Sequence, residues 1–349
     1  MAFSDMLQLG VQTYRIITSQ FYRIPQVPLV NLTGRTILIT GANSGMGFEL
    51  ARHLIKSRPE TLVIVCRRLD AGEQARQDIL AALPLDHGVD VRVWYADMMD
   101  FASVKALGER AEKELRRLDV LVVNAGINTG LKIDDRVLTK DGWERSVETN
   151  ILSAFLATFL LLPLLHRTLA NPLPVPTSHP PIPDPFIPRI IFNGSEIHSF
   201  AEHNRLDKDK PLASLNDKAK WDNPSRYPLT KLCNHLLART LIRLVPSLVV
   251  IDVNPGIVAS GFIKDKTWVE WFVVGLVGRT ADVGARILAQ ATLFGARSEK
   301  FWSESGPVGE TPSRFVTSAE GQHIEQRIWD ELIEILDKVV PGCSKNLPV

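Results

Sequence analysis

The stretch that decides the fold is "TILITGANSGMGFELARHLIKS", residues 36 to 57. "TILIT" (36–40) reads as a buried strand, and glycines follow at once at 41, 45 and 47. "FELARHLIKS" then takes the spacing of a helix. Strand, glycine turn and helix in that order form a site for a phosphate. Gly41 permits the tight turn, Gly45 lets the backbone approach a pyrophosphate, Gly47 allows close helix packing, and the helix N-terminus faces the anion. The glycine spacing differs from the common dinucleotide fingerprint, so the strand before and the helix after carry the reading. Asn43, Ser44 and Met46 join the three glycines as candidate cofactor contacts.

The pattern repeats along the chain. "TLVIVC" (61–66), "VRVWYA" (91–96), "VLVVNAG" (120–126), "RIIFNGS" (189–195) and "LVVIDVNPG" (248–256) read as further buried strands separated by helical segments. Nearly continuous apolar strands in that alternation indicate a parallel sheet covered on both faces. The expected architecture is a single-domain, doubly wound α/β Rossmann fold over residues 34 to 340, preceded by an extension at 1 to 33. The longest uncharged run, "ILSAFLATFLLLPLLH" from Ile151, is too short to span a bilayer and contains Pro163, so it reads as a buried helix. "NPLPVPTSHPPIPDPFIP" (171–188) holds eight prolines and reads as an exposed surface loop.

The 349 residues carry 40 basic and 39 acidic side chains, a net charge of +1, and so leave no electrostatic footprint for nucleic acid. Cys66, Cys233 and Cys343 fit neither a disulfide framework nor a metal-ligand spacing, which points to a reducing compartment and no metal. A cytoplasmic location follows, with peripheral contact to an intracellular membrane as an open alternative. In the first thirty residues Phe3, Leu7, Tyr14, Ile17 and Phe21 fall at roughly helical spacing, without the basic n-region or apolar core of a signal peptide. Docking of this helix on the body of the protein is the simpler reading, because its basic residues are few; a membrane-surface helix is the alternative.

After the second strand the chain reads "CRRLD" (66–70). A cofactor without a 2′-phosphate calls for an acidic residue here, whereas Arg67 and Arg68 match a phosphate and an acid would repel it. NADP is therefore expected; Asp70 keeps NAD as the alternative.

Seven stretches resemble the short-chain dehydrogenase/reductase family over roughly residues 34 to 336: "TGANSGMG", "AD" ending at Asp97, "NAG" (124–126), "ETN" ending at Asn150, "FNGS" ending at Ser195, "YPLTK" (227–231) and "NPGIVASG" (254–261). Within it, "SEIH", "YPLTKLCNHLLARTL" and "RTADVGARILAQATL" look most like the retinol dehydrogenase and WW-domain oxidoreductase branch and its fungal relatives, without a WW domain.

Reducing a ketone or aldehyde needs a hydride donor, a group that polarises the carbonyl and an acid that protonates the forming alkoxide. Tyr227 can give the proton. Its ordinary pKa near 10 calls for a cation beside it, and Lys231, one helical turn on, can supply that charge. Ser195, ending a strand, can donate a hydrogen bond to the substrate oxygen. The resemblance implies further roles: Lys231 on the nicotinamide ribose, Asn150 holding a water in a proton relay, Asp97 near the adenine ring, Asn124, Ala125 and Gly126 beside the adenine ribose, and Pro255, Gly256, Val258 and Ser260 beside the nicotinamide.

Ser195 and Tyr227 stand 32 positions apart, a spacing also long in the resembled branch, and the intervening loop is expected to border the substrate. Pro228 places Tyr227 at the start of its helix. His198 and His203, in that loop, read as solvated. "IKDKTWVEWFVVGLVG" (263–278), with Trp268, Trp271, Phe272 and Val273, is expected to cover the substrate as a lid over about 261–280, which suits a lipophilic molecule: a terpenoid, steroid, polyketide or retinoid-like compound of secondary metabolism. The expectation is an NADP(H)-dependent reductase. An NAD-dependent alcohol dehydrogenase and a non-catalytic cofactor-binding scaffold stay open. Members of the resembled family often pair through helices like the one near Ile151, so a homodimer is expected too.

Overall fold

Strand β1, Thr36–Thr40, is buried at all five positions and alternates between two apolar layers: Ile37 and Ile39 point to one, Leu38 to the other. That alternation is what a central strand covered on both faces requires. In this computed structural model, residues 3–84, 88–128, 136–174, 186–259, 275–295, 298–303, 306–307 and 313–347 are described. Further strands are β2 (Thr61–Cys66), β3 (Asp90–Tyr95), β4 (Val120–Val123), β5 (Arg189–Asn193), β6 (Val249–Asn254), the short pair β7 (Val258–Ala259) and β8 (Arg279–Thr280), then β9 (Glu299–Ser303) and β10 (Gly306–Pro307). The main sheet runs β10-β9-β6-β5-β4-β1-β2-β3; seven strands are parallel and β10 is antiparallel at the edge.

The order reverses between β4 and β1, which opens a crevice at their carboxyl ends. One face is covered by α2 (Gly45–Leu54), α3 (Leu69–Leu80) and α7 (Ala281–Phe294). The other is covered by α4 (Phe101–Glu114), α5 (Ser153–Ala170), α6 (Asn223–Leu244) and α8 (Ala319–Val339). The N-terminal helix α1, Phe3–Ser19, lies outside this double layer. The expected doubly wound α/β fold is present, and the two short outer strands enlarge the sheet beyond the six read from sequence.

The apolar run near Ile151 forms a π-helical turn, Glu148–Leu152, that leads into α5. Residues 145–170 are long and apolar enough to cross a membrane, yet 89% of the most apolar window is buried inside the protein. Phe159 is fully buried, its ring 6.5 Å from Phe155 and 5.8 Å from Trp329 of α8. Trp329 of the C-terminal helix thus packs on the apolar helix that the homodimer expectation named.

Candidate functional site

A cavity of about 800 Å³ opens at the carboxyl ends of β1, β4, β5 and β6. Its floor is the turn after β1. Gly45 holds φ +59°, a left-handed backbone that favours glycine, and open space lies where a side chain would start. At Gly47 a Cβ would stand 2.5 Å from both Asn124 Nδ2 and Gly41 O, so the loop closes only on glycine. Asn124 clamps the turn: its Nδ2 donates to Thr40 O at 2.9 Å and Gly41 O at 3.1 Å, while Asn193 Nδ2 donates to its Oδ1 at 2.9 Å. The amino end of α2 begins at Gly45 and opens on this space, giving the turn the partial positive charge that attracts an anion. The residues present therefore fit a dinucleotide.

Gly41, Asn43, Ser44, Gly45, Met46, Gly47, Arg67, Asp97, Asn124, Ala125, Gly126, Pro255, Gly256 and Val258 all line this cavity, together with Ser195, Tyr227 and Lys231. Asn150 does not. Its side chain is buried behind the wall, accepting from Ile127 N at 2.8 Å and donating to Ile127 O at 2.9 Å and Thr230 Oγ1 at 3.1 Å. Ser260 lies outside the described residues, as do Trp268, Trp271, Phe272 and Val273 of the expected lid and residues 175–185 of the proline-rich loop.

Ser195 follows β5 by two residues and caps the short turn Glu196–Phe200. Tyr227 and Lys231 stand one turn apart on α6, with Lys231 Nζ 5.7 Å from the Tyr227 ring centroid and donating to Asn193 O at 2.6 Å. Burial pushes the Tyr227 phenol above its ordinary value, and its hydrogen bond with Ser195 opposes this. Burial also lowers the Lys231 ammonium to about 8, and the charge of Asp252 opposes that shift.

Two expectations fail here. Pro228 does not mark the helix start: α6 begins at Asn223, capped by Asp222 and with Pro224 in its first turn, so Tyr227 and Pro228 lie inside the helix. Proline has no amide hydrogen, so the carbonyl of Pro224 receives no bond from position 228. His198 is not solvated. It is 1% exposed and stacks on His235, with ring centroids 4.4 Å apart, while His203 stacks on Phe315 at 3.9 Å. Among the described residues no His, Cys, Asp and Glu cluster could hold a metal.

The structure adds a wall that sequence reasoning missed. Thr13, Ile16, Ile17 and Gln20 from the N-terminal segment line the cavity. Of the apolar stripe read from sequence, Ile17 lines the cavity, whereas Tyr14 is 72% and Phe21 73% exposed, so the inner face matches the stripe only in part. The segment is tied down by polar bonds. Gln20 Oε1 accepts from Ile257 N at 3.1 Å, Arg279 donates to Ser19 O, and Arg15 pairs with Glu196 at 3.5 Å. The loop after Ser195 contributes Glu196, Ile197 and Phe200 to the cavity, the first turn of α6 contributes Pro224, and Cys66 reaches it from β2.

Comparison with known proteins agrees with this layout. The family model described as short chain dehydrogenase matches residues 35–170. A short chain dehydrogenase/reductase from a Cryptosporiopsis species, dmxR8, is 31% identical over 94% of this chain and 98% of its own. The short-chain dehydrogenase anuD of Penicillium roqueforti is 31% identical over 93% of this chain and 84% of its own. Among solved structures, the NADPH-dependent 3-quinuclidinone reductase of Rhodotorula rubra superposes with a TM-score of 0.57 at 17% identity, covering 83% of this chain and 97% of its own. The RhlG/NADP complex of Pseudomonas aeruginosa gives 0.57 at 22% identity over 79% and 96%.

Proposed function

Because the chain belongs to the short-chain dehydrogenase/reductase family, we propose that it is an NADP(H)-dependent oxidoreductase that interconverts a carbonyl and an alcohol on a lipophilic small molecule, working mainly as a reductase. The observation that carries this reading is the convergence of Ser195, Tyr227 and Lys231 on the cavity whose floor is the glycine turn. A bound reduced nicotinamide would supply the hydride. Ser195 Oγ polarises the substrate oxygen, and Tyr227 gives its proton to the alkoxide as charge develops there. Lys231 stabilises the resulting phenolate by its charge. Asn150 supports this unit from behind, through Thr230 and Ile127.

Arg67 stands on the cavity wall and Asp70 does not, which favours the 2′-phosphorylated cofactor over NAD. Two solved structures of the same fold, an NADP complex and an NADPH-dependent reductase, are in keeping with this choice, while a third holds NADH. Ile16, Ile17, Ile197 and Phe200 give the substrate half an apolar wall, which suits a terpenoid, steroid, polyketide or retinoid-like substrate. A cytoplasmic site of action accords with three buried, unpaired cysteines.

The test follows NADPH oxidation by absorbance across a panel of lipophilic ketones and aldehydes, for native protein and Tyr227→Phe. Native turnover that falls roughly 10²–10⁴-fold in the variant, with NADPH binding kept, is expected. Equal turnover in both would remove Tyr227 from the proton transfer.

A further inference from the structure

The face of α6 that presents Tyr227 and Lys231 carries one more polar group. His235 follows Lys231 by four residues, as Lys231 follows Tyr227, so the three stand one above another. His235 Nδ1 lies 2.6 Å from Asp252 Oδ2, with both side chains 1% exposed. The other side of its ring stacks on His198, whose Nδ1 is 2.6 Å from the carbonyl oxygen of Ser195. Phe301 seals both imidazoles edge-on, at 5.6 Å from His235 and 5.3 Å from His198.

Asp252, on β6, is pressed against the backbone between Asn193 and Ser195. A Cβ at Gly194 would sit 2.1 Å from its Oδ1. Asn193 is the residue whose carbonyl accepts from Lys231, and His235 is bonded to the other carboxylate oxygen. Asp252 thus lies beneath α6, bonded to His235 and packed against Gly194, the residue next to the carbonyl that holds Lys231. We propose that Asp252, held in place by His235, is a positioning residue of the proton-transfer unit: the buried countercharge that fixes Lys231 below Tyr227. This rests on the roles given above to Tyr227 and Lys231.

Among the described residues, other ionisable groups on the elements packed around α6 are engaged or carry the wrong sign. Glu196 pairs with Arg15 and accepts from Asn254, and Glu325 of α8 pairs with Arg239 and Arg243. Glu331 accepts from the amides of Leu212 and Ala213, and Glu144 from those of Ser146 and Val147. Burial holds Glu148 protonated up to about 8. The Cys233 thiol is pushed up to about 12, and His198 is driven well below its ordinary value, both by burial. Arg145 and Arg226 share the sign of Lys231. Asp252 is the carboxylate whose charge supports the ammonium against its burial. An ammonium in a low-dielectric site keeps its proton and its place only with such a partner.

The test is competitive acetylation of Lys231 with acetic anhydride across pH, read by mass spectrometry of the peptide that contains it. Lys231 lines the cavity, where the reagent can reach it. In Asp252→Asn the Lys231 titration should move about one pH unit lower, a roughly tenfold change in the ammonium-to-amine ratio at a given pH. His235→Asn keeps a donor near Asp252 and should titrate like native protein, whereas His235→Leu should shift the same way as Asp252→Asn. Coincident titrations in native protein and Asp252→Asn overturn the proposal. Should Asp252→Asn lack a cooperative melt, coincident titrations of the two His235 variants overturn it instead. The readout needs neither cofactor nor turnover, so a native protein inactive on every substrate would count against the oxidoreductase reading and leave this result interpretable.

Discussion

Arg67→Ala isolates the cofactor choice. The guanidinium stands at the end of β2, 51% exposed, with Nη1 3.9 Å from Asp97 Oδ2 and 3.9 Å from Met99 Sδ. Both contacts are too long to be strong, so turning the side chain toward an incoming 2′-phosphate gives up little. Hydrogen bonds to a charged group contribute about 1.5–3 kcal/mol. Half exposure and solvent screening reduce this to about 1–2 kcal/mol. At 1.4 kcal/mol per decade, that is a roughly 5- to 30-fold rise in the NADPH dissociation constant. Fluorescence titration at low and moderate ionic strength measures it. NADPH affinity should fall by that factor, NADH affinity by less than about twofold, and the gap should narrow as salt rises. Equal weakening of both cofactors, or a native preference for NADH, would refute the assignment of Arg67 to the phosphate.

Two further outcomes concern the body of the protein. Glu148 is fully buried, and burial raises its pKa from 4.5 to about 8. A folded-state value above the unfolded one means that its contribution is complete below pH 4.5 and is lost as pH rises through 8. Denaturant melts of native protein minus Glu148→Gln should therefore fall by up to about 1.4 kcal/mol per pH unit across that window, and a flat difference would show that Glu148 ionises normally. Phe159→Ala removes a ring wedged against Phe155 and Trp329 and should cost about 3–5 kcal/mol in urea unfolding; a loss under about 1 kcal/mol would mean that α5 and α8 close the gap.

The sheet was legible because its strands are buried on both faces and so read as apolar runs, and the glycine turn announced itself by what flanks it. Tyr227 and Lys231 were legible as a pair on one helix face. What escaped depends on long-range partners. His198 looks like a loop residue until His235, 37 positions on, is seen stacked against it. "EKFWS" (299–303) carries two charges in five residues and gives no strand signal before β6 pairs with it. The start of α6 was available in Asp222 and Pro224, a cap followed by a first-turn proline, but Pro228 drew the boundary too late. The inner face of α1 was legible only in part: Ile17 of the expected stripe lines the cavity, but docking turns Thr13 and Ile16 inward beside it and leaves Tyr14 outside.

That docked helix also bears on the order in which the molecule assembles. Gln20 meets Ile257 across 237 residues and Ser19 meets Arg279 across 260, so this wall of the cavity is among the contacts with the greatest loop-closure cost in the chain. The first helix made meets Glu196 midway along the chain, but it waits for nearly the last strands before Ser19 and Gln20 are tied down. Reversed, the same entropy makes its detachment a local opening that precedes loss of the sheet. On mild heating the protein should forfeit its grip on substrate while its nucleotide half is still folded.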